Sequence, residues 1–352
     1  MKFEQPKSVY FAAANGYDGF RNYFNKVFIP QDFERIYVLK GGPGTGKSSL
    51  MKKICTTFQN KNYKCEAIFC SSDPSSLDGI ILQNNNKKIG ILDGTAPHET
   101  DAKIPGAIDE IINLGDYWND KTLKSKKKSI LKLNENKSYR YSQAYNYLRI
   151  AGCFADNIRR TVESAYKISE AKIINDILFD IKQKNEGRNE QIKLNSSFSK
   201  NGYTRLNTKE NYPKEISVSG VFGSEYIFTD NLLNEVKKLC CEYTRFPSPF
   251  SDRLTEAIYL PESDTLITVG GDYENTVDTS AFLDCGIINY NKEHLSYYAK
   301  QREDALSHAK HEFLLASNAH FELEEIYTPC MNFEGISKLT NSLIIEIEEI
   351  LR

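Results

Sequence analysis

Short apolar runs alternate with helix-like stretches over the first hundred residues of the chain. Residues 36–39 are apolar and predict a buried strand, and after a glycine-rich turn the apolar positions recur at helical spacing up to residue 59. Residues 64–70 and 88–93 are two further apolar runs, which predict strands. This alternation of strand and helix favours an α/β fold built on a mostly parallel sheet.

Longer helical patterns occupy the middle and the end of the chain. Over residues 119–187, apolar and aromatic residues return at steps of three and four, and Gly152 divides this stretch into the two predicted arms of a helical hairpin. Residues 292–327 predict a corresponding helical arm later in the chain. The polar segment over residues 185–213 predicts a linker.

The second half of the chain repeats the order of elements in the first. Residues 215–239 predict a strand, a loop and a helix, and residues 265–271 echo residues 88–94. We therefore predict two tandem related halves, over residues 1–187 and 188–352, each with a mostly parallel sheet and a long helical hairpin.

The loop after the first of these strands carries the clearest chemical motif. Residues 41–48 match the pattern G-x-x-x-x-G-K-[ST] between a predicted strand and a predicted helix. In such a P-loop, backbone N–H groups surround phosphate oxygens, the lysine neutralises the β- and γ-phosphates, and the hydroxyl reaches Mg²⁺. The predicted phosphate-binding residues are Gly41, Gly42, Pro43, Gly44, Thr45, Gly46, Lys47, Ser48 and Ser49.

An acidic residue at the end of a later strand completes the motif. Asp93 follows the apolar run 88–92, as does the aspartate that holds Mg²⁺ in many P-loop proteins, so Asp93 and Ser48 are the predicted metal ligands. The next residue is Gly94 rather than a glutamate, and a hydrolytic base must therefore come from another nearby group. The predicted catalytic residues are Lys47, Asp93, His98 and Glu99, with Asp101 as an alternative base.

The corresponding positions of the second half have lost this chemistry. Glu225 and Gly270 stand where the lysine and the strand-ending aspartate would fall. One nucleotide is therefore expected per chain. We expect the second half to cover or support the first, with Arg245 or Arg253 as candidates to approach a bound phosphate from outside.

Two further segments suggest partners. Ser71, Ser72 and Asp73 lie in a turn-rich loop after a strand, where a small-molecule acceptor could bind, although Asp-Pro in such a loop also serves simply as a turn former. Residues 121–140 are strongly basic, and the run Lys126, Lys127 and Lys128 sits within them. A solvated helix face explains this run best, and an anionic partner such as nucleic acid is the alternative.

Composition limits the remaining classes of function. The 352 residues include 45 Lys and Arg against 47 Asp and Glu, a net charge of −2, so no overall field draws the chain to nucleic acid or lipid. The opening residues lack the layout of a secretory signal, and no apolar run approaches the ~18 residues of a membrane span. The eight cysteines form no metal-site pattern and predict reduced thiols. We therefore expect a cytoplasmic protein without a membrane partner.

Several segments together resemble a known family. Residues 40–48, 70–79, 91–98 and 105–115 are similar to an uncharacterised bacterial family of tandem, AAA-type, P-loop ATPase-like nucleotide-binding proteins with two related halves. The resemblance implies nucleotide binding and a P-loop NTPase-type fold. Members of that family often keep an intact P-loop in both halves, and this chain departs from them near Gly220.

Three functions are compatible with these observations. No Asn-Lys-x-Asp motif for guanine is present, so ATP with Mg²⁺ is the expected ligand, and an ATPase that couples nucleotide state to conformational change is the leading hypothesis. A small-molecule or nucleotide kinase is the first alternative, favoured by the missing glutamate after Asp93. A non-catalytic, nucleotide-gated adaptor is the second, and very slow turnover with tight binding would favour it.

Overall fold

The computed structural model describes the chain except for residues 1–2, 97–99, 168, 182–189, 207–211, 213, 240 and 272–274. The first half is built on a six-stranded sheet and a small hairpin. Its strands are β1 (Ser8–Phe11), β2 (Ala13–Gly16), β3 (Gly19–Asn22), β4 (Arg35–Lys40), β5 (Lys64–Phe69), β6 (Leu77–Asn84), β7 (Lys87–Asp93) and β8 (Asp109–Asn113). Its helices are α1 (Phe24–Val27), α2 (Lys47–Gln59), α3 (Asp120–Ser125), α4 (Lys127–Ala165) and α5 (Ala171–Leu178), with 3-10 turns at Pro30–Asp32 and Leu114–Tyr117.

The second half contains the same kinds of elements in the same order. Its strands are β9 (Glu190–Ile192), β10 (Ser196–Ser199), β11 (Gly202–Arg205), β12 (Lys214–Ser219), β13 (Tyr243–Pro247), β14 (Thr255–Leu260), β15 (Thr265–Val269) and β16 (Thr276–Asp278). Its helices are α6 (Ser224–Lys238), α7 (Cys285–Tyr327) and α8 (Phe333–Leu351), with 3-10 turns at Thr279–Phe282 and Thr328–Cys330.

The two large sheets have one topology. The strand order is β1-β5-β6-β7-β4-β8 in the first and β9-β13-β14-β15-β12-β16 in the second, which is the same order element by element. In each sheet the third strand of that order, β6 or β14, runs antiparallel to its neighbours, and the other pairings are parallel. The prediction of two related, mostly parallel α/β halves is therefore confirmed.

The predicted linker over residues 185–213 is wrong, because this segment contains β9, β10 and β11. Its serine-rich composition is typical of a loop, yet the strand Ser196–Ser199 is buried along its whole length. Small hydroxyl side chains suit a crowded position there. At this place β10 lies against β2 of the first half, and the backbones of Phe11 and Leu194 exchange hydrogen bonds of 2.7 and 3.2 Å. The two sheets thus meet edge to edge.

The predicted helical hairpins are also wrong. The helices α4 and α7 are each continuous, with 39 and 43 residues, and they pair with each other along their length. Gly152 does not separate two arms: it lies inside α4, where a β-carbon would fall 2.8 Å from Cβ of Tyr17. The glycine therefore allows a close approach to the hairpin of β2 and β3 rather than a break in the helix.

Beyond the long helices, the two halves exchange elements. The helix α5 contributes Ile174 to the core of the second half, around Val218 and Phe228. The helix α8 contributes Leu343 and Ile347 to the core of the first half. The predicted boundary at residues 187 and 188 lies outside the described residues, but the first half is completed by the last helix of the chain.

None of the described helices combines the length and apolarity that a membrane crossing requires. The seven described cysteines form no disulfide, as expected for reduced thiols.

Candidate functional site

The P-loop segment curls between β4 and the start of α2. Gly44 and Gly46 have φ angles of 65° and 90°, in the left-handed region that side chains disfavour, so glycine is needed at both positions. Thr45 is buried, and its hydroxyl donates to the carbonyl of Gly42 at 2.9 Å. The loop therefore has an internally braced turn that leads directly into the N-terminus of a 13-residue helix.

Lys47 lies folded back over this loop. Its Nζ donates to the carbonyl oxygens of Gly41 and Gly42 at 2.7 and 3.0 Å, and it lies 3.7 Å from Oδ2 of Asp93. The Lys47 and Asp93 side chains are only 12% and 14% exposed. Two residues predicted from separate motifs thus form one ion pair at the carboxyl edge of the sheet.

Asp93 has an acidic neighbour, Asp78, that the sequence did not reveal. Asp78 is the second residue of β6 and precedes Gly79, which pairs with Leu92, so the antiparallel register places Asp78 beside Asp93 on the adjoining strand. Burial raises the pKa of Asp93, the charge of Lys47 lowers it and the charge of Asp78 raises it, with a net rise. The apolar run after Asp78 would have predicted a strand here, but its antiparallel direction has no signal in the sequence.

The hydroxyl of Ser48 accepts a hydrogen bond from the backbone N–H of Leu77 at 3.0 Å, so it is held next to the start of β6. Ser49 is exposed. Within the described part of the chain, no three His, Cys, Asp or Glu residues gather as a metal site on their own. Magnesium in P-loop proteins shares its coordination with phosphate oxygens and water, and Ser48 with Asp93 fits that sparse ligand set.

The predicted acceptor loop is tied to other elements. Ser71 is fully buried, the hydroxyls of Ser72 and Tyr141 are hydrogen-bonded, and Asp73 lies 3.2 Å from Nζ of Lys200 in the second half. Burial alone would raise the pKa of Asp73, but hydrogen bonds from Ser75 and the charge of Lys200 bring it below its usual value. Asp73 is thus an ionised structural partner of Lys200.

The remaining predicted residues have separate positions. His98 and Glu99 lie outside the described residues, so their predicted role stays a prediction. Asp101 forms an exposed ion pair of 3.1 Å with Lys40. The run Lys126, Lys127 and Lys128 is exposed at the start of α4, as a solvated helix face requires.

The outer side of the P-loop is covered by the second half. A β-carbon built on Gly42 would lie 3.1 Å from the Tyr327 ring, and one on Gly44 would lie 2.5 Å from Oγ1 of Thr328. One on Gly46 would lie 3.5 Å from the ring of Phe333. The end of α7 and the start of α8 therefore lie against the loop glycines, as expected for a second half that supports the first.

Two charged side chains from the long helices also face this region. On α7, His320 lies 3.6 Å from Oε1 of Glu324 and lowers the pKa of that carboxyl, partial burial opposes this, and the backbone N–H of Gly44 lowers the pKa further. On α4, burial lowers the pKa of Lys137, and the charge of Lys47 adds to this effect. Sequence reasoning missed both residues, because they stand far from the motif along the chain. Of the two cations considered from sequence, Arg245 pairs with Asp252 at 3.7 Å and Arg253 is exposed.

The equivalent loop of the second half is shorter and lacks the lysine. Sheet register and the start of α6 place Ser224 and Glu225 where Lys47 and Ser48 stand, and Val269 where Asp93 stands. The sequence alignment was therefore displaced by one residue at both places. The conclusion drawn from it is unchanged, because no ammonium group and no strand-ending carboxylate occupy these positions.

Comparisons with protein-family models, with curated proteins and with solved structures gave no match. The geometry of the described residues is thus the basis for a functional proposal.

Proposed function

We propose that the chain is a P-loop NTPase that binds ATP with Mg²⁺ in its first half and hydrolyses it, coupling nucleotide state to the α4–α7 pair. The observation that carries this is the position of Lys47, whose Nζ is held by two loop carbonyls and lies 3.7 Å from Asp93. A largely buried ammonium beside a helix N-terminus favours a bound polyanion.

The residues present suit the separate tasks of phosphoryl transfer. Lys47 would exchange its carbonyl contacts for oxygens of the β- and γ-phosphates and stabilise charge as it develops there. Ser48 and Asp93 would hold Mg²⁺, the aspartate through water. Water would attack the γ-phosphorus, and ADP would leave with the bridging oxygen.

Coupling to conformation follows from what touches the loop. Tyr327 and Thr328 at the end of α7 contact the loop glycines, and Tyr141 on α4 contacts the neighbouring loop through Ser72. A rearrangement around the phosphates would therefore act directly on both long helices. The kinase alternative is less favoured, because Ser72 and Asp73 already have partners in Tyr141 and Lys200.

Binding and turnover of nucleotide test the proposal. Calorimetric titration with a non-hydrolysable ATP analogue should give one site per chain, and Lys47→Ala should weaken that binding by at least about tenfold. Lys64→Ala, a change of an exposed lysine in β5, is the matched control. Phosphate release with Mg²⁺ should disappear in Lys47→Ala only.

Each contrary result has a defined meaning. Wild-type affinity and turnover in Lys47→Ala would exclude the P-loop from the mechanism. Tight binding without phosphate release would favour the adaptor hypothesis. Binding of GTP but not ATP would contradict the proposal that the ligand is an adenine nucleotide.

A further inference from the structure

Lys137 lies on the face of α4 that covers the carboxyl edge of the first sheet. It stands four residues before Tyr141, and residues at this spacing share one side of a helix. Tyr141 packs against Phe313 at 5.8 Å between ring centroids, and its hydroxyl meets Ser72. The charges of Asp73 and Asp78 also act on that hydroxyl. This face of α4 is therefore directed toward the P-loop and its two adjoining strands.

The ammonium of Lys137 meets a like charge at this place. It is half-buried, and Lys47 is the charged group that acts on it. Among the described residues no carboxylate forms an ion pair with Lys137, whereas Lys47 has Asp93 at 3.7 Å. The charges of the two cations repel each other in the empty protein, and a bound polyanion would relieve this repulsion.

The second half has a cation on its long helix at the position equivalent to Lys137. Asn119 and Asp284 are equivalent helix caps. The backbone N–H of Asn119 donates to the carbonyl of Cys330, just after α7, and that of Asp284 donates to the carbonyl of Ala165, the last residue of α4. Counted from these caps, Arg302 on α7 is the equivalent of Lys137.

Arg302 acts on a carboxylate that lies at the second loop. A β-carbon built on Gly220 would lie 3.1 Å from Oε2 of Glu225, and the charge of Arg302 acts on that carboxylate. Glu225 occupies the position that Ser48 has in the first half. The second half therefore places a carboxylate at its own loop, within reach of the charge of the helix cation, and the first half has a hydroxyl in that place.

We infer that Lys137 is a second polyphosphate-binding cation, which reaches the bound phosphate chain from α4 opposite Lys47. The inference rests on the proposed function and narrows it. The ligand is a compound with a chain of linked phosphates, because a single phosphate would need only one of the two ammonium groups. The contact between Lys137 and the phosphate chain also connects the long helix α4 directly to the ligand.

The test compares Lys137→Gln with Lys132→Gln, an exposed lysine of the same helix. Affinities for ATP, ADP, AMP and inorganic triphosphate are measured by calorimetry, and the melting temperature is measured without ligand. We expect Lys137→Gln to weaken ATP and triphosphate binding by about tenfold or more, AMP binding by much less, and Lys132→Gln to change neither. Lys137→Arg, which copies the second half, should bind ATP within a few-fold of wild type.

The ligand-free melting temperature separates this role from a structural one. Because Lys137→Gln removes a repulsion with Lys47, its melting temperature should stay equal or rise, while the increase produced by ATP should shrink. A large fall in melting temperature with an unchanged preference for ATP over AMP would overturn the inference, and so would wild-type affinity in Lys137→Gln. Failure of the wild-type protein to bind any of the four ligands would instead overturn the proposed function.

Discussion

Substitution of Gly44 tests whether the second half really closes the outer side of the P-loop. Gly44 has a φ of 65°, and a β-carbon there would lie 2.5 Å from Oγ1 of Thr328 and 3.3 Å from Cα of Glu324. Gly44→Ala therefore introduces two penalties at once: a left-handed backbone for a residue with a side chain, and a steric conflict with α7 and the turn that follows it.

The two penalties have separate magnitudes. The left-handed conformation costs about 1–2 kcal/mol, and overpacking of a close contact costs about 1–3 kcal/mol. Gly106→Ala is the matched control, because Gly106 has a φ of 80° and nothing within 4 Å of the added carbon. We expect Gly44→Ala to lower the free energy of unfolding by about 2–5 kcal/mol and Gly106→Ala by about 1–2 kcal/mol.

Urea unfolding followed by tryptophan fluorescence measures both variants at the relevant place. Trp118 is the single tryptophan of the chain, and its ring lies 6.0 Å from that of Tyr327, so its emission reports on this contact. The double variant Gly44→Ala with Thr328→Ala should recover much of the loss, because the hydroxyl is the nearest obstacle. Equal losses in Gly44→Ala and Gly106→Ala, with no coupling to Thr328→Ala, would refute the described closure.

Three further predictions concern the charges of Asp93 and Glu324 and the packing of α8 in the first half. Because burial raises the pKa of Asp93, its ionisation destabilises the empty protein as pH rises from the ordinary aspartate pKa of about 4 through the raised value. Asp93→Asn should remove this pH-dependent loss in urea unfolding and weaken Mg²⁺-dependent ATP binding, and an unchanged pH profile of stability would argue against it. Glu324→Gln should strengthen ATP binding several-fold in calorimetry, since the carboxylate competes with phosphate for the N–H of Gly44, and weaker binding would contradict this. Ile347→Ala should cost about 2–5 kcal/mol of stability, whereas Ile345→Ala, at 61% exposure, should cost little; equal effects would contradict the packing of α8 in the first half.

The strand, glycine-rich turn and helix of residues 35–59 could be predicted because their signal is contiguous. The glycines, Lys47 and Ser48 stand within eight residues, between an apolar strand and a helix whose apolar positions repeat, so local sequence determines local structure. Asp93 was found for the same reason, as the acid that ends an apolar run. The strand order then brings the Lys47 and Asp93 side chains together, since β4 and β7 are adjacent and parallel.

The contributions of distant segments could not be predicted. An apolar stripe on a helix shows that a partner exists without identifying it, so α4 was assigned an arm of its own half instead of α7. The position of Asp78 next to Asp93 depends on the antiparallel direction of β6, and the contacts with neighbouring strands determine that direction rather than the local sequence. The polar composition of β10 predicts an exposed linker, whereas the burial of its serines depends on contact with the other half.

The exchange of helices gives the second half a structural role, although it lacks the lysine of the first loop. The end of α7 brings Glu324 to Gly44 of the first loop, whereas the equivalent residue of α4, Arg159, pairs with Asp230 of α6 at 3.1 Å. The second loop has Ser224 where the first has Lys47, so the proposed function needs no ligand in the second loop. Its sheet still anchors α7, and the helix after α7 fills the core of the first half. In the proposed function, one site therefore requires the fold of both halves, and the long helices are the elements through which a change at that site would reach the rest of the molecule.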